Sequence, residues 1–298
     1  MIKKIIHLAL FIALCTGCTS PEIYNPCDNP PPLPDCYVPD HVRLALVLGG
    51  GGAKGLAHVG VLEEFEKAGI PIDVIIGCSA GSLVGAIYAD CPNADWVRDV
   101  LEPMKSEDFL DISIWKARFG LSQGDKMENA LRCKLTAQTF DQLQIPLLIV
   151  ATDLYSGELV TIGGGDIITA VRASSAIPIV YNPVQLHGRI FVDGGVIDPV
   201  PARVAKQLNA EYIVAVDLGQ MMPRRFPKNL FEVAKRSADI ALLWQSESCL
   251  EAADLIIRPQ LGEDIGCFND ENHEQIYEAG RQAARDAIPI IKQQLGLL

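Results

Sequence analysis

The sequence predicts an α/β fold: a single domain in which a mostly parallel central sheet is flanked by helices. Three observations lead there. From residue 42 onward, apolar runs of strand length alternate with stretches of helical character, the order that builds a parallel sheet with helices on both faces. No internal repeat and no break in composition interrupts residues 42–298, which argues for one domain rather than two. Of the 298 residues, 49% are hydrophobic and 21% charged, a composition that suits a globular protein with a large core.

What precedes residue 42 is of a different kind. Met1-Ile2-Lys3-Lys4 is a short basic start, and residues 5–15 are apolar but too few to cross a bilayer as a helix. Thr16-Gly17-Cys18 follows, and residues 1–18 together resemble a bacterial lipoprotein signal peptide, with Cys18 as the residue to be lipidated. Cys15 stands where such signals usually carry an aliphatic residue, so an ordinary cleaved signal peptide and a tethering apolar N-terminus stay open. By the same resemblance, Thr19 rather than Asp after the cysteine implies export and an outer-membrane anchor facing the periplasm. Residues 19–41, rich in Pro, Asn, Asp and Cys, read as a Pro-rich tether extended by Pro30-Pro31-Pro32-Leu33-Pro34. Cys27 and Cys36 bracket those prolines and are candidates for a disulfide in an oxidising compartment. Cys78, Cys91, Cys133, Cys249 and Cys267 are scattered without a C-x-x-C pair, so no metal site is expected and most of them read as small buried apolar residues.

The domain's elements follow in order. Val42–Leu48 is a buried-strand pattern that ends in four glycines, and a helix is expected over 56–68. Residues 73–77 form the next strand, followed by a helix through Ala89. Residues 93–119 read as helical and mixed, with a second helix over 125–135. Pro146–Thr152 is a core strand and 158–162 another; a helix over 166–175 is ended by Pro178. Residues 185–192 form a strand closing in Asp193-Gly194-Gly195. Strands over 212–217 and 254–258 are separated by a helix over 230–252. An amphipathic helix over 272–295, interrupted near Pro289, completes the chain.

Charge narrows the function. The net charge is −12, or −14 once Lys3 and Lys4 leave with the leader, and no basic stripe is present to neutralise phosphates, which excludes a nucleic-acid partner. Any contact of the folded domain with a membrane should be apolar.

Gly77-Cys78-Ser79-Ala80-Gly81 carries the most information. It lies between an apolar strand and a helix, the context in which G-x-S-x-G forms a sharp turn that exposes a serine hydroxyl as a nucleophile. A helix-capping serine is the alternative use of such a residue. The loop Gly49-Gly50-Gly51-Gly52-Ala53-Lys54-Gly55 could converge backbone N–H groups on a developing oxyanion. Gly50-x-Gly52-x-x-Gly55 also fits a dinucleotide fingerprint, but Asp73 begins a strand where that fingerprint wants an acidic residue at a strand's end. The base is less plain. Asp193 ends an apolar strand before two glycines, which exposes a carboxylate at the carboxyl edge of the sheet. Asp153 and Asp217 end strands too and read as structural. Of the five histidines, His7 lies in the leader, His41 ends the tether, His58 stands one helical turn beyond the glycine loop and reads as packing or capping there, and His187 is mid-strand beside Gly188; a Ser79–Asp193–His273 triad can be drawn, although no loop context favours His273.

Gly50–Gly55, the serine motif and Asp193-Gly194-Gly195, in that order and spacing, resemble the patatin-like phospholipases, over about residues 42–206. The segment Arg172-Ala173-Ser174-Ser175-Ala176-Ile177-Pro178 extends the likeness. The resemblance implies a three-layer α/β/α fold and a lipid acyl hydrolase working through a Ser-Asp dyad without cofactor. Ser79 would be the nucleophile, Asp193 the base, and Gly50, Gly51 and Gly52 the oxyanion hole, with Ala53, Lys54, Gly55, Gly77, Gly81, Gly194 and Gly195 supporting them. Lys54 stands where the family usually has arginine, keeping the charge but losing the fork geometry. Phospholipid or lysophospholipid is the implied substrate, with Leu101, Met104, Phe109, Leu110, Ile112, Ile114 and Trp115, between Trp96 and Phe119, as a candidate acyl-binding lid. An esterase or thioesterase acting on soluble acyl esters and a non-catalytic lipid-binding lipoprotein are the competing readings.

Overall fold

The computed structural model describes residues 24, 27, 29–113, 115, 117–219, 226–262, 265–266 and 270–297. The leader with Cys18, together with Ile114 and Cys267, lies outside the described residues. The elements run β1 (Leu44–Leu48), α1 (Leu56–Ala68), β2 (Val74–Cys78), α2 (Ala80–Asp90), α3 (Ala94–Leu101), α4 (Ser106–Phe109), β3 (Gly120–Ser122) and α5 (Asp125–Arg132). Then come β4 (Leu147–Asp153), β5 (Leu159–Ile162), α6 (Ile167–Ser174), β6 (Ile179–Tyr181), β7 (Val184–Leu186), β8 (Arg189–Asp193) and α7 (Ala202–Gln207). The chain closes with β9 (Tyr212–Val216), α8 (Leu230–Leu250), β10 (Leu255–Ile257) and α9 (His273–Leu295).

The apolar runs become strands buried along their whole length: every residue of β1, β2 and β4 is buried. The main sheet has the order β10-β9-β1-β2-β4-β8-β7 with β5 also on β4, and β3 and β6 form a separate pair. From β10 to β4 all pairings are parallel, whereas β5, β8 and β7 join antiparallel. Strand side chains alternate between faces. Leu44, Leu46 and Leu48 meet Phe65 and Val84 in one core, while Ala45 and Val47 meet Ile76 and Val204 in the other. The protein is thus a three-layer, mostly parallel α/β domain.

One feature of the pairing places the site. β4 pairs with β2 along Leu147–Val150 and with β8 along Ala151–Asp153. β5 pairs with Ile149–Thr152 and so takes the opposite edge, leaving β2 and β8 to share one edge of β4. β2 runs with β4 and β8 against it. Their C-terminal ends therefore meet, with Cys78 opposite Val150 and Asp193 opposite Ala151.

The structure departs from the sequence expectations at several points. The single strand expected over 185–192 is a hairpin, β7 and β8, turned at His187 (φ 49°) and Gly188 (φ 72°), both left-handed as a two-residue type I′ turn requires. β6 and α7 are too short to carry a readable period. α9 continues through Pro289 because its other face is locked onto α1: Arg281 and Arg285 reach Glu64 at 2.8 and 3.0 Å, and the backbones touch at Gly280. Cys27 and residues 29–38 are docked rather than a free tether: the Cys27 N–H donates to the Gly188 carbonyl (3.4 Å), and Leu33 and Val38 pack on the core. Cys27 and Cys36 are free thiols, not a disulfide; Cys27 Sγ donates to the Asn29 carbonyl. Of the scattered cysteines that are described, Cys78 and Cys249 are buried, but Cys91 is half-buried and Cys133 exposed.

A Cβ at Gly280 would fall 2.0 Å from the Ala57 carbonyl oxygen, whereas Gly266 has open space around it. Gly280→Val should lose about 3 kcal/mol or more in urea unfolding through forced separation of α1 and α9, and Gly266→Ala should stay within about 0.5 kcal/mol of the parent.

Candidate active site

β2 ends at Cys78 and α2 begins at Ala80, so one residue, Ser79, turns the chain. It does so at φ 51°, ψ −119°, a backbone state that costs of order 1–3 kcal/mol and persists only where the surroundings impose it. Here they do. A Cβ at Gly81 would lie 2.0 Å from the Leu48 carbonyl oxygen, so the turn is pressed against the end of β1 as only glycine allows. The Ser79 N–H donates to Ser174 Oγ at 2.8 Å, and Ser82 Oγ donates to the Ser79 carbonyl at 2.6 Å.

The end-to-end meeting of β2 and β8 then brings the two side chains together. Ser79 Oγ donates to Asp193 Oδ2 at 2.7 Å, and Asp193 Oδ1 accepts from the Gly195 N–H at 2.8 Å. Both residues are only 6% exposed. Burial pushes the Asp193 carboxyl up to about 6, against the hydrogen bonds from Ser79 and Gly195, which favour the anion. A carboxylate with that affinity for a proton is a far better partner for a serine hydroxyl than one in water.

No histidine among the described residues hydrogen-bonds to Ser79 or Asp193. His273 Nδ1 faces the Glu102 carbonyl at 2.8 Å, which removes it from the drawn triad although it lines the same pocket. His58 lies under the glycine loop, its Nε2 2.8 Å from the Gly49 carbonyl, and burial lowers its pKa to about 4, so the ring is neutral and donates. Asp153 pairs with Arg189 and Asp217 with Arg258, each at 3.0 Å, as structural strand-end residues do.

The glycine loop lies directly against Ser79: a Cβ at Gly50 would be 3.4 Å from that of Ser79. The Gly50 N–H already donates to the Pro199 carbonyl at 2.9 Å, so the expected set of three amides narrows to two. Those of Gly51 and Gly52 donate to no group among the described residues. Lys54 is buried, and its Nζ donates to the Leu218 carbonyl at 2.8 Å, tying the loop to the segment after β9 instead of reaching toward a ligand. Gly194 lies against the Val150 carbonyl where β8 leaves β4.

From Ser79 an apolar pocket of about 130 Å³ runs between α2 and the segment after α3. Leu101, Met104, Phe109 and Leu110 line it, as expected of the acyl-binding stretch, but Ile112, Trp115 and Phe119 point into solvent. Among the described residues no group of three or more His, Cys, Asp or Glu side chains converges as metal ligands would. One role escaped the sequence reading, that of Ser174, which holds the Ser79 amide; His58, expected to pack or cap beside the glycine loop, does so through the Gly49 carbonyl. For Ser174 the signal was its place in the Arg172–Pro178 segment.

A model of the patatin-like phospholipases matches residues 46–206, more than half of the chain. The chain belongs to the patatin-like phospholipase family. Uncharacterised NTE family proteins are among its relatives: one from Mycobacterium bovis is 37% identical over 179 residues, 59% of this chain and 49% of that protein. A second, from Mycobacterium tuberculosis, is 30% identical over 271 residues, 82% of this chain and 46% of the other. The chain thus spans about half the length of these relatives. Human patatin-like phospholipase domain-containing protein 6 is 31% identical over 189 residues, 59% of this chain but 13% of the human protein. Among solved structures, VipD of Legionella pneumophila shares the fold with a TM-score of 0.55 at 16% identity, covering 85% of this chain and 67% of that one.

The raised carboxyl has two measurable consequences. Hydrolysis that uses the Asp193 anion should show kcat/KM falling below about pH 6. The folded-state pKa lies above the unfolded value of 3.8, so the native state binds the extra proton and stability falls as pH rises through about 6. Asp193→Asn should therefore stabilise the protein at pH 8, by up to about 3 kcal/mol, and the gain should vanish below pH 4; denaturant melts at the two pH values measure it.

Proposed function

We propose that the protein is a serine acyl hydrolase that releases fatty acids from phospholipid or lysophospholipid, acting through Ser79 and Asp193. The observation that carries this reading is the 2.7 Å hydrogen bond from Ser79 Oγ to a buried carboxylate, made at the inner end of an apolar pocket. In the first half-reaction Ser79 Oγ attacks the ester carbonyl carbon while its proton passes to Asp193. The carbonyl oxygen, now an oxyanion, takes the Gly51 and Gly52 amides, and the positive end of α2 adds to the stabilisation. Collapse of the tetrahedral intermediate breaks the C–O bond, and the proton on Asp193 goes to the leaving lyso-lipid or glycerol oxygen. In the second half-reaction Asp193 deprotonates a water that attacks the acyl-serine, the fatty acid leaves, and the proton returns to Ser79. Each donor of an oxyanion hole is typically worth about 3 kcal/mol of transition-state stabilisation.

The apolar lining supports a fatty acyl chain as the group that enters, and family membership supports a lipid ester. The leader sequence supports export and acylation of Cys18, which would hold the enzyme on the periplasmic side of a membrane.

Fatty-acid release from phospholipid and lysophospholipid micelles tests this reading. Ser79→Ala and Asp193→Asn should each lower the rate by about 10³-fold or more. His273→Ala should keep kcat within about tenfold, because that ring bonds the Glu102 carbonyl and neither reacting group. A collapse with His273→Ala equal to that of Ser79→Ala would replace the dyad with a triad, and activity confined to soluble esters would make the protein a general esterase.

A further inference from the structure

Around the mouth of the pocket the domain leaves large apolar side chains in water. Trp115 is 92% exposed, Ile179 76% and Ile112 60%, with Phe119 and Leu121 also exposed. They are neighbours through the backbone. β3 carries Leu121 and pairs with β6, which carries Ile179; the Ser113 N–H donates to the Leu121 carbonyl, and Ile112 bridges to Ser122. The same segment reaches inside, because Ile177, just before β6, and Tyr181, at its end, line the pocket on either side of Ile179. Ile179 itself sits at φ 74°, a strained state for a β-branched residue. A strained backbone that turns an isoleucine into solvent is a feature to be explained by function.

The chain's own N-terminus says what covers this patch. Cys27 and residues 29–38 form a strap across the domain, where a Cβ at Gly164 would fall 2.7 Å from the Asp35 carbonyl oxygen. The strap ends at the patch: the Tyr24 ring meets Phe119 edge-on with centroids 5.0 Å apart, and the Tyr24 hydroxyl donates to the Pro183 carbonyl just after β6. Only five residues separate Tyr24 from Cys18, and the six steps between them reach about 20 Å at full extension. An acyl chain on Cys18 would therefore bring the Phe119 side of the domain toward the bilayer.

We infer that Ile112, Trp115, Phe119, Leu121 and Ile179 form the surface by which the protein docks onto a phospholipid bilayer, with the proline strap fixing the N-terminal anchor beside it. This deepens the phospholipase reading and rests on it. Docking is apolar, as a chain of net charge −12 requires on an anionic surface. Trp115 suits the headgroup level, and Arg118, stacked 5.0 Å from the Phe119 ring centroid, can extend its guanidinium to lipid phosphate. Lipid then passes from the bilayer to Ser79 without crossing water. A second exposed stripe, Leu230, Val233, Ile240 and Trp244, lies on α8, lines no part of the pocket and serves as the control.

The full chain has three tryptophans, so two variants isolate the two faces: Trp96→Phe with Trp244→Phe leaves Trp115, and Trp96→Phe with Trp115→Phe leaves Trp244. Each is bound to vesicles of phosphatidylethanolamine and phosphatidylglycerol with brominated acyl chains. Trp115 fluorescence should be quenched and Trp244 fluorescence unchanged. An unquenched Trp115, or quenching of Trp244 in its place, overturns the inference. In parallel, Ile112→Ser with Ile179→Asn, the latter chosen because asparagine tolerates positive φ, should slow vesicle hydrolysis about tenfold or more. Ser79-dependent hydrolysis of soluble p-nitrophenyl butyrate should not change; an equal loss on both substrates also overturns the inference. If the parent hydrolyses neither substrate, the hydrolase reading fails alone, and quenching still decides the docking surface.

Discussion

Two strands share one edge of β4 and stop where they meet, β2 at Cys78 and β8 at Asp193. Because β8 runs antiparallel to an otherwise parallel array, its C-terminal end faces the C-terminal end of β2, and the residues at those ends are forced into contact. The Ser79–Asp193 hydrogen bond is the result. It joins the turn residue just after β2 to the last residue of β8, so its length is set by the register of β4 with both neighbours. The same placement keeps water away from Asp193 and raises its proton affinity to a value useful near neutral pH. Geometry and basicity thus come from one structural cause.

The surrounding structure keeps that contact in place. α1 starts from the glycine loop, and α9 clamps α1 through the touching backbones at Gly280 and Ala57 and the pairing of Arg281 and Arg285 with Glu64. His58 on α1 holds the Gly49 carbonyl, and Lys54 holds the Leu218 carbonyl beyond β9. Both polar groups are buried and each has a backbone acceptor, so the loop can present the Gly51 and Gly52 amides without closing on itself. On the other side, Ser174 at the end of α6 takes the Ser79 amide and helps to impose the strained turn. Ser79 is therefore held by elements that the core already fixes.

Much of this was legible in the sequence. Strands apolar along their whole length and helices at the right intervals were readable because each rests on a local rule of backbone sterics or burial, and the structure brings the glycine, serine and aspartate motifs to one place. What was not legible depends on contacts distant in sequence. The turn at His187-Gly188 hides inside a run of strand formers, since histidine carries no strong signal for positive φ. The role of Gly50 as a donor to Pro199, and of Lys54 as a clamp, needs the fold, because their partners lie some 150 residues away. Pro289 read as a break, yet packing against α1 outweighs one lost hydrogen bond. The strap shows the same limit: a proline-rich segment reads as a linker until the glycine turns that receive it are placed beneath.

The central claim is that Asp193 acts on Ser79 directly. Reaction of the intact protein with a fluorophosphonate, followed by mapping of the modified residue and its rate of formation, tests it without reference to any lipid. The account expects the adduct on Ser79 and a rate that collapses with Asp193→Asn while surviving His273→Ala. An adduct on another residue, or Asp193→Asn labelling as fast as the parent, would contradict it.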